Sequence, residues 1–194
     1  MYDENVSQIK KSLTRLGVIV AGSALIVGTC MAIRFQQSSV RVTGKPGSYQ
    51  LIRNGKPYFV RGAGGTGSRK LLLEAGANSI RTWGAEGLGE ILDQAQKDGL
   101  TVTAGIWLGH RPGFNYGDEA AVKQQFEMCK QTVEKYKDHP ALLCWAFGNE
   151  AEGDGREPKV YRAINDIATM SKRLDPNHPT MTVIAEIGDG KVPS

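Results

Sequence analysis

From residue 58 onward the apolar positions keep two rhythms in alternation. Short, nearly unbroken apolar runs at 58–62, 78–83, 101–108, 142–148 and 181–187 read as buried strands. Between them the spacing becomes helical. Ser68 caps a helix running to Ala75 that Gly76 ends, and Leu88, Ile91, Leu92 and Ala95 share one face of a helix stopped by Gly99. A long helix over 118–137 carries the stripe Val122, Phe126, Cys129, Val133 and Tyr136. Pro158 opens another, with Val160, Ile164, Ile167, Ser171 and Leu174 in line. Strand and helix in strict alternation predict parallel strands joined by right-handed crossovers, in either a barrel or an open doubly wound sheet. Ahead of this array, the runs 49–53 and 58–61 flank Asn54-Gly55, a two-residue hairpin turn whose positions both tolerate positive φ.

The N-terminal pattern is different. Residues 16–33 carry no charge, follow Lys10, Lys11 and Arg15, and are closed by Arg34. A stretch of about 18 apolar residues is the lower limit for crossing a bilayer and exceeds the usual core of a cleaved signal. The chain is therefore expected to open with an n-region (1–15), a signal anchor or signal peptide (16–33) and a polar linker (34–48), with a globular domain over 49–194. That domain would be membrane-anchored or secreted and lie outside the cytoplasm.

Charge changes the picture once it is placed along the chain. The net +4 arises wholly in residues 1–45, which hold six of the 24 Lys and Arg and two of the 20 acids, leaving 18 of each sign beyond. A globular part with no overall field gives no ground for a nucleic-acid partner. Cys30, Cys129 and Cys144 are too few and too dispersed for a disulfide framework or a zinc site, so buried thiols and no metal are expected.

In α/β architectures the chemistry gathers at the carboxyl ends of the strands. After the first run stands Gly62-Ala63-Gly64-Gly65-Thr66-Gly67, which satisfies the spacing of a dinucleotide-binding loop. Such a site also needs an acid at the tip of the second strand, where the sequence has Arg81-Thr82-Trp83-Gly84, with Glu86 already past it. Tight backbone turning explains the glycines without a cofactor. After the fourth run comes Trp145-Ala146-Phe147-Gly148-Asn149-Glu150, an apolar lead-in that ends abruptly in an amide and a carboxyl.

With Asn54-Gly55-Lys56-Pro57, Asn78-Ser79-Ile80-Arg81, Gly99 and His139-Pro140, this segment resembles the clan A glycoside hydrolases, and residues 54–187 resemble the TIM-barrel domain of glycoside hydrolase family 2. The resemblance implies a retaining glycosidase or transglycosidase of β-linked sugars, with an oligo- or polysaccharide substrate and no cofactor. Glu150 would act as general acid/base, Asn149 would bind the sugar 2-hydroxyl, and Arg81 would support the catalytic carboxylates. An apolar, aromatic pocket would raise the acid's pKa by penalising its charged form. Trp83, Trp107, Trp145 and Phe147 are available as walls or stacking faces, although strand alternation cannot turn all four inward. His110 follows the third strand and is a candidate for sugar contact. His139 and His178 precede strands and belong to the opposite face, and Glu152 and Asp154 read as a solvated loop.

Retention needs a second carboxyl about 5–5.5 Å away. In the family that nucleophile lies on the seventh strand, whereas these residues reach a fifth; Glu186 sits inside the fifth and too soon after Glu150. The expectation is thus a partial (β/α)8 barrel of about five βα units, inactive alone and able to self-associate through its uncovered edge. Two other classes fit parts of the pattern: a membrane-bound dinucleotide-binding oxidoreductase and a non-catalytic carbohydrate-binding module.

Overall fold

The computed structural model describes residues 38–185. The chain divides into two units, Met1–Phe35 and Gln36–Ser194, and all described residues belong to the second. The apolar stretch 16–33 lies outside them. Among the described residues no helix is long and apolar enough to cross a membrane.

The second unit begins with a three-stranded antiparallel sheet, β1 (Val40–Thr43), β2 (Gln50–Arg53) and β3 (Lys56–Pro57), in that order. The β2–β3 turn is the expected Asn54-Gly55, with φ of 51° and 77°. Strand β1 is a correction, because it falls in the polar stretch 34–48 read as linker. Its four residues are too short a run to show a period, and its ladder to β2 is visible only in three dimensions. Val40 is buried and donates its N–H to the carbonyl of Asn177, which fastens the meander to the main body.

Five parallel strands follow, β4 (Gly62–Gly64), β5 (Ser79–Arg81), β6 (Thr101–Ile106), β7 (Leu142–Asn149) and β8 (Thr180–Val183), neighbouring one another in chain order. An open doubly wound sheet reverses its order at a switch point; this sheet has no reversal. The first strand lies later than the run 58–62 predicts. Phe59 and Val60 are exposed, while the Tyr58 hydroxyl donates to the Asn78 carbonyl, so this aromatic run serves the approach to the sheet. Glu186 lies beyond the described residues.

Helices α1 (Arg69–Glu74), α2 (Leu88–Lys97), α3 (Glu119–Tyr136) and α4 (Pro158–Leu174) fill the connections. Ser68 caps α1 by accepting the Leu71 N–H, Asp118 caps α3 through Ala120 and Ala121, and Pro158 stands in the first turn of α4. One sheet face presents Val102, Ala104, Ile106, Trp145 and Phe147 to Leu88, Leu92, Cys129, Val133, Val160 and Ile167, all in one core. The other face carries Gly62, Gly64, Ser79, Arg81, Thr103 and Cys144 and lines a concavity of about 470 Å³. Small and polar on one side, bulky and apolar on the other, the strands follow the alternation of a wall covered by helices on one face.

Candidate active site

Three strand ends carry the expected residues. Arg81 closes β5, Trp107 and His110 follow β6, and Asn149 closes β7 with Glu150 next. The Arg81 guanidinium reaches across the intervening strand, and its Nη2 donates to Asn149 Oδ1 at 2.8 Å. The same guanidinium carbon stands 5.6 Å from the centroid of the Trp83 ring, a cation–π contact. A Cβ on Gly64 would come within 2.7 Å of that ring, so the glycine of the first strand is needed for Trp83 to lie where it does. Among the described residues Arg81 pairs with no carboxylate, and its buried Nε has no partner. The alternative in which it pairs with a buried acid gives way to pairing with an amide. Because Asn149 spends its oxygen on Arg81, its NH2 remains as a donor at the strand mouth.

The end of β7 is irregular. Its register against β8 shifts between Ala146 and Asn149, Gly148 has φ of 78°, and Glu150 has φ of 57°. A left-handed residue with a side chain costs about 1–3 kcal/mol, and such strain collects where a side chain must be aimed rather than packed. The Glu150 N–H donates to the Val183 carbonyl at 2.9 Å, which fixes this turn against the end of β8. Glu150 itself is exposed among the described residues, so the dry pocket expected around it is not formed by them. The reason is geometric: the aromatic residues just before it, Trp145 and Phe147, face the helices and are fully buried there. They are core, not sugar platforms.

Trp83 and Trp107 are the aromatic residues left on the mouth, 39% and 49% exposed. Trp107 stacks on His110 with ring centroids 4.4 Å apart and planes 8° from parallel, and His110 Nε2 is buried without a partner. This pair rests on a built loop. The Gly109 N–H donates to Gln125 Oε1 and its carbonyl accepts the Tyr116 hydroxyl, both at 2.7 Å, with Phe114 edge-on to Tyr116. Burial pushes the Tyr116 hydroxyl above its ordinary pKa, partly offset by the nearby Gln125 side chain, so it stays a donor. The apolar stripe of α3 misses Gln125 because a polar residue on a buried face carries no periodic signal.

Glu152 is a second correction. Read as part of a solvated loop, it is 2% exposed, and its Oε1 accepts the Ala185 N–H at 2.8 Å. Asp154 is exposed, as expected of that loop, and its Oδ1 accepts the Arg156 N–H. On the opposite face His178 is buried against Asp175, and His139 meets Asp93 at 3.2 Å, both structural pairings. Among the described residues no group of three His, Cys, Asp or Glu could hold a metal ion.

The Gly62–Gly67 loop leads into α1, which is only six residues long. The second-strand tip, where a ribose-binding acid would stand, is instead occupied by Arg81 and Trp83 in contact with each other. Together with the unreversed strand order, this removes the structural basis of the dinucleotide alternative.

Among proteins of known function, the chain is 26% identical over 156 residues to a probable mannan endo-1,4-beta-mannosidase C of Aspergillus terreus, covering 66% of this chain and 38% of the relative. It is 25% identical over 178 residues to the beta-glucuronidase of Chlorocebus aethiops, covering 88% of this chain and 26% of the relative. The chain therefore spans well under half the length of these relatives. Among solved structures, a Faecalibacterium prausnitzii beta-glucuronidase superposes with a TM-score of 0.62 at 21% identity, covering 79% of this chain and 29% of the other. A beta-galacturonidase from Eisenbergiella tayi gives 0.60 at 18% identity, covering 75% and 28%. These likenesses are of fold. Residues 70–189, from α1 to past β8, match the model of the glycosyl hydrolases family 2 TIM barrel domain, and the chain belongs to that family.

Proposed function

We infer that these residues form one arc of a family 2 barrel wall and carry the acid/base half of a retaining β-glycosidase. The observation that carries the reading is the Arg81–Asn149 hydrogen bond beside the strained Glu150 at the mouth of β7. With its oxygen held by Arg81, Asn149 offers its NH2 to the sugar 2-hydroxyl. Glu150 then protonates the departing glycosidic oxygen and, as a carboxylate, takes a proton from the water that releases the sugar. Trp83 and Trp107 supply faces for sugar rings, with His110 beneath Trp107.

The second carboxylate would come from a later strand of the closed barrel. Glu152, near Glu150 in sequence, is committed to Ala185. The 194 residues by themselves are accordingly expected not to turn over aryl β-glycosides; turnover by this chain alone, lost on Glu150→Gln, contradicts that part of the reading. The mannosidase and glucuronidase relatives make β-mannosides and β-glucuronides the first substrates to assay with the barrel completed. A carbohydrate-binding module without catalysis would bind these sugars and cleave none, with or without Glu150.

Residues 16–33 are proposed to hold the domain at or beyond a membrane, outside the cytoplasm. Protease access to the domain only after cells are opened would overturn this. Among the described residues β4 and β8 each pair on one side only, which favours self-association. A monomer in sedimentation at micromolar concentration would count against it.

A further inference from the structure

We propose that Glu152 is a positioning residue: its buried carboxylate clamps the loop after β7 to the exit of β8 and so holds Glu150 in its left-handed turn. The inference rests on Glu150 being the acid/base, as proposed above, and adds a group which that mechanism does not use.

The loop sequence Ala151-Glu152-Gly153-Asp154-Gly155 has the composition of a solvated turn, and in water a carboxylate there needs no partner. Glu152 is nevertheless buried, and among the described residues no Lys, Arg or His forms an ion pair with it. Burying a carboxylate without a cation is costly, so the contact that holds it must itself matter to the loop. That contact is the Ala185 N–H, just past β8.

The tie is one of a pair. Glu150 donates its N–H to the Val183 carbonyl, and two residues further along each of the two segments Glu152 accepts the N–H of Ala185. The first bond continues the β7–β8 pairing past the register shift, where the ladder has already been broken. The second is supplied by a side chain because the backbone of the loop has turned away. On the other flank, the Arg111 N–H donates to the Ala151 carbonyl at 3.3 Å, and a Cβ on Gly153 would meet Arg111 Cβ at 2.8 Å. The residue in left-handed strain is thus bracketed by ties to the loop that follows β6 and to the end of β8. Remove the Glu152 tie and the β8 flank is held by the single Glu150 N–H bond to Val183, directly at the residue in left-handed strain.

The test is amide hydrogen exchange on the full 194-residue chain, reading the Glu150 and Ala185 amides against that of Trp145, whose N–H is bonded to the Pro179 carbonyl within the sheet. Glu152→Ala is expected to speed exchange at Glu150 and Ala185 by about ten-fold or more while leaving Trp145 unchanged. Glu152→Gln, which keeps an acceptor oxygen, should protect all three. An unchanged Glu150 amide in the alanine variant would overturn the proposal, as would equal acceleration of all three, which reports general loss of stability. If the alanine variant does not fold, Glu152→Asp, one methylene short of Ala185, must show the same local pair of changes or the clamp is wrong. In a catalytically complete barrel Glu152→Ala should lower kcat about ten-fold with KM within two-fold, and Gln should restore it. Intact turnover in Glu150→Gln would sink the hydrolase reading itself, while the exchange result still decides the clamp.

Discussion

The residue proposed as the acid/base is held in a conformation that its own side chain disfavours. Glu150 stands at φ of 57°, where glycine is at ease and a branched residue is not. Glu150→Gly relieves that strain and returns some of the gain as unfolded-chain entropy, so its stability should equal or exceed the parent by up to about 1 kcal/mol. Glu150→Val should lose roughly 1–3 kcal/mol at the same position. Urea midpoints in the order Gly, Glu, Val check this; a valine variant as stable as glycine means the turn is not left-handed. The neighbouring Asn149 shows why a motif read from sequence names the residue and not its geometry. Its amide is oriented by Arg81, 68 positions away, and only the folded chain brings the two together.

At the scale of elements, β7 is the strand on which both faces of the design meet. Trp145 points from it into the helical layer, and its Nε1 donates to Asp175 Oδ2 at 2.8 Å, while Asp175 also binds His178 Nδ1 and the Asn177 N–H. This buried cluster joins β7 to the α4–β8 connection. Asp175→Ala strands several buried donors and should cost about 3–5 kcal/mol, whereas Trp145→Phe leaves Asp175 bound to His178 and should cost about 1–3 kcal/mol. Equal losses in denaturant titrations would show that aromatic packing, not the carboxylate, is what the cluster supplies. The helices were legible because their caps and stripes are local, as Ser68, Asp118 and Pro158 show. The strands β6 and β7 were legible because apolar runs of that length have few other uses. Strand β1 and the placement of β4 were not, since four and three residues carry no period and their partners lie far along the chain. In the candidate site, Asn149 and Glu150 stood out by an abrupt change from apolar to polar. Glu152 and Gln125 did not, because a buried polar residue shows itself only through the one atom it binds.

For the whole molecule, the two thiols among the described residues make a test of the core. Burial pushes Cys129 up to about 12 and Cys144 up to about 11, the latter despite a hydrogen bond to Thr103 and the Arg81 charge. Raised folded-state values mean that the native chain keeps these protons while the unfolded chain releases them near pH 9. The stability they contribute is complete below that pH and is lost as pH climbs toward 11–12. By pH 11 the loss should be on the order of 2 kcal/mol for each thiol. Cys129→Ala and Cys144→Ala should each flatten the fall between pH 9 and 11; an unchanged slope would mean that the thiols meet water.

The arc of strands places an amide and a strained carboxyl at one mouth, and their assignment to glycoside cleavage makes a distinct demand on the leaving group. An acid is needed only when the departing oxygen is a poor leaving group, and a base only when the nucleophile carries a proton. In a barrel completed with its nucleophile strand, Glu150→Gln should therefore abolish cleavage of alkyl β-glycosides by about 10²–10⁴-fold. It should still form the glycosyl-enzyme from a dinitrophenyl glycoside, and added azide, which needs no base, should restore turnover as the β-glycosyl azide. Equal loss on both leaving groups, with no azide product, would contradict Glu150 as the acid/base.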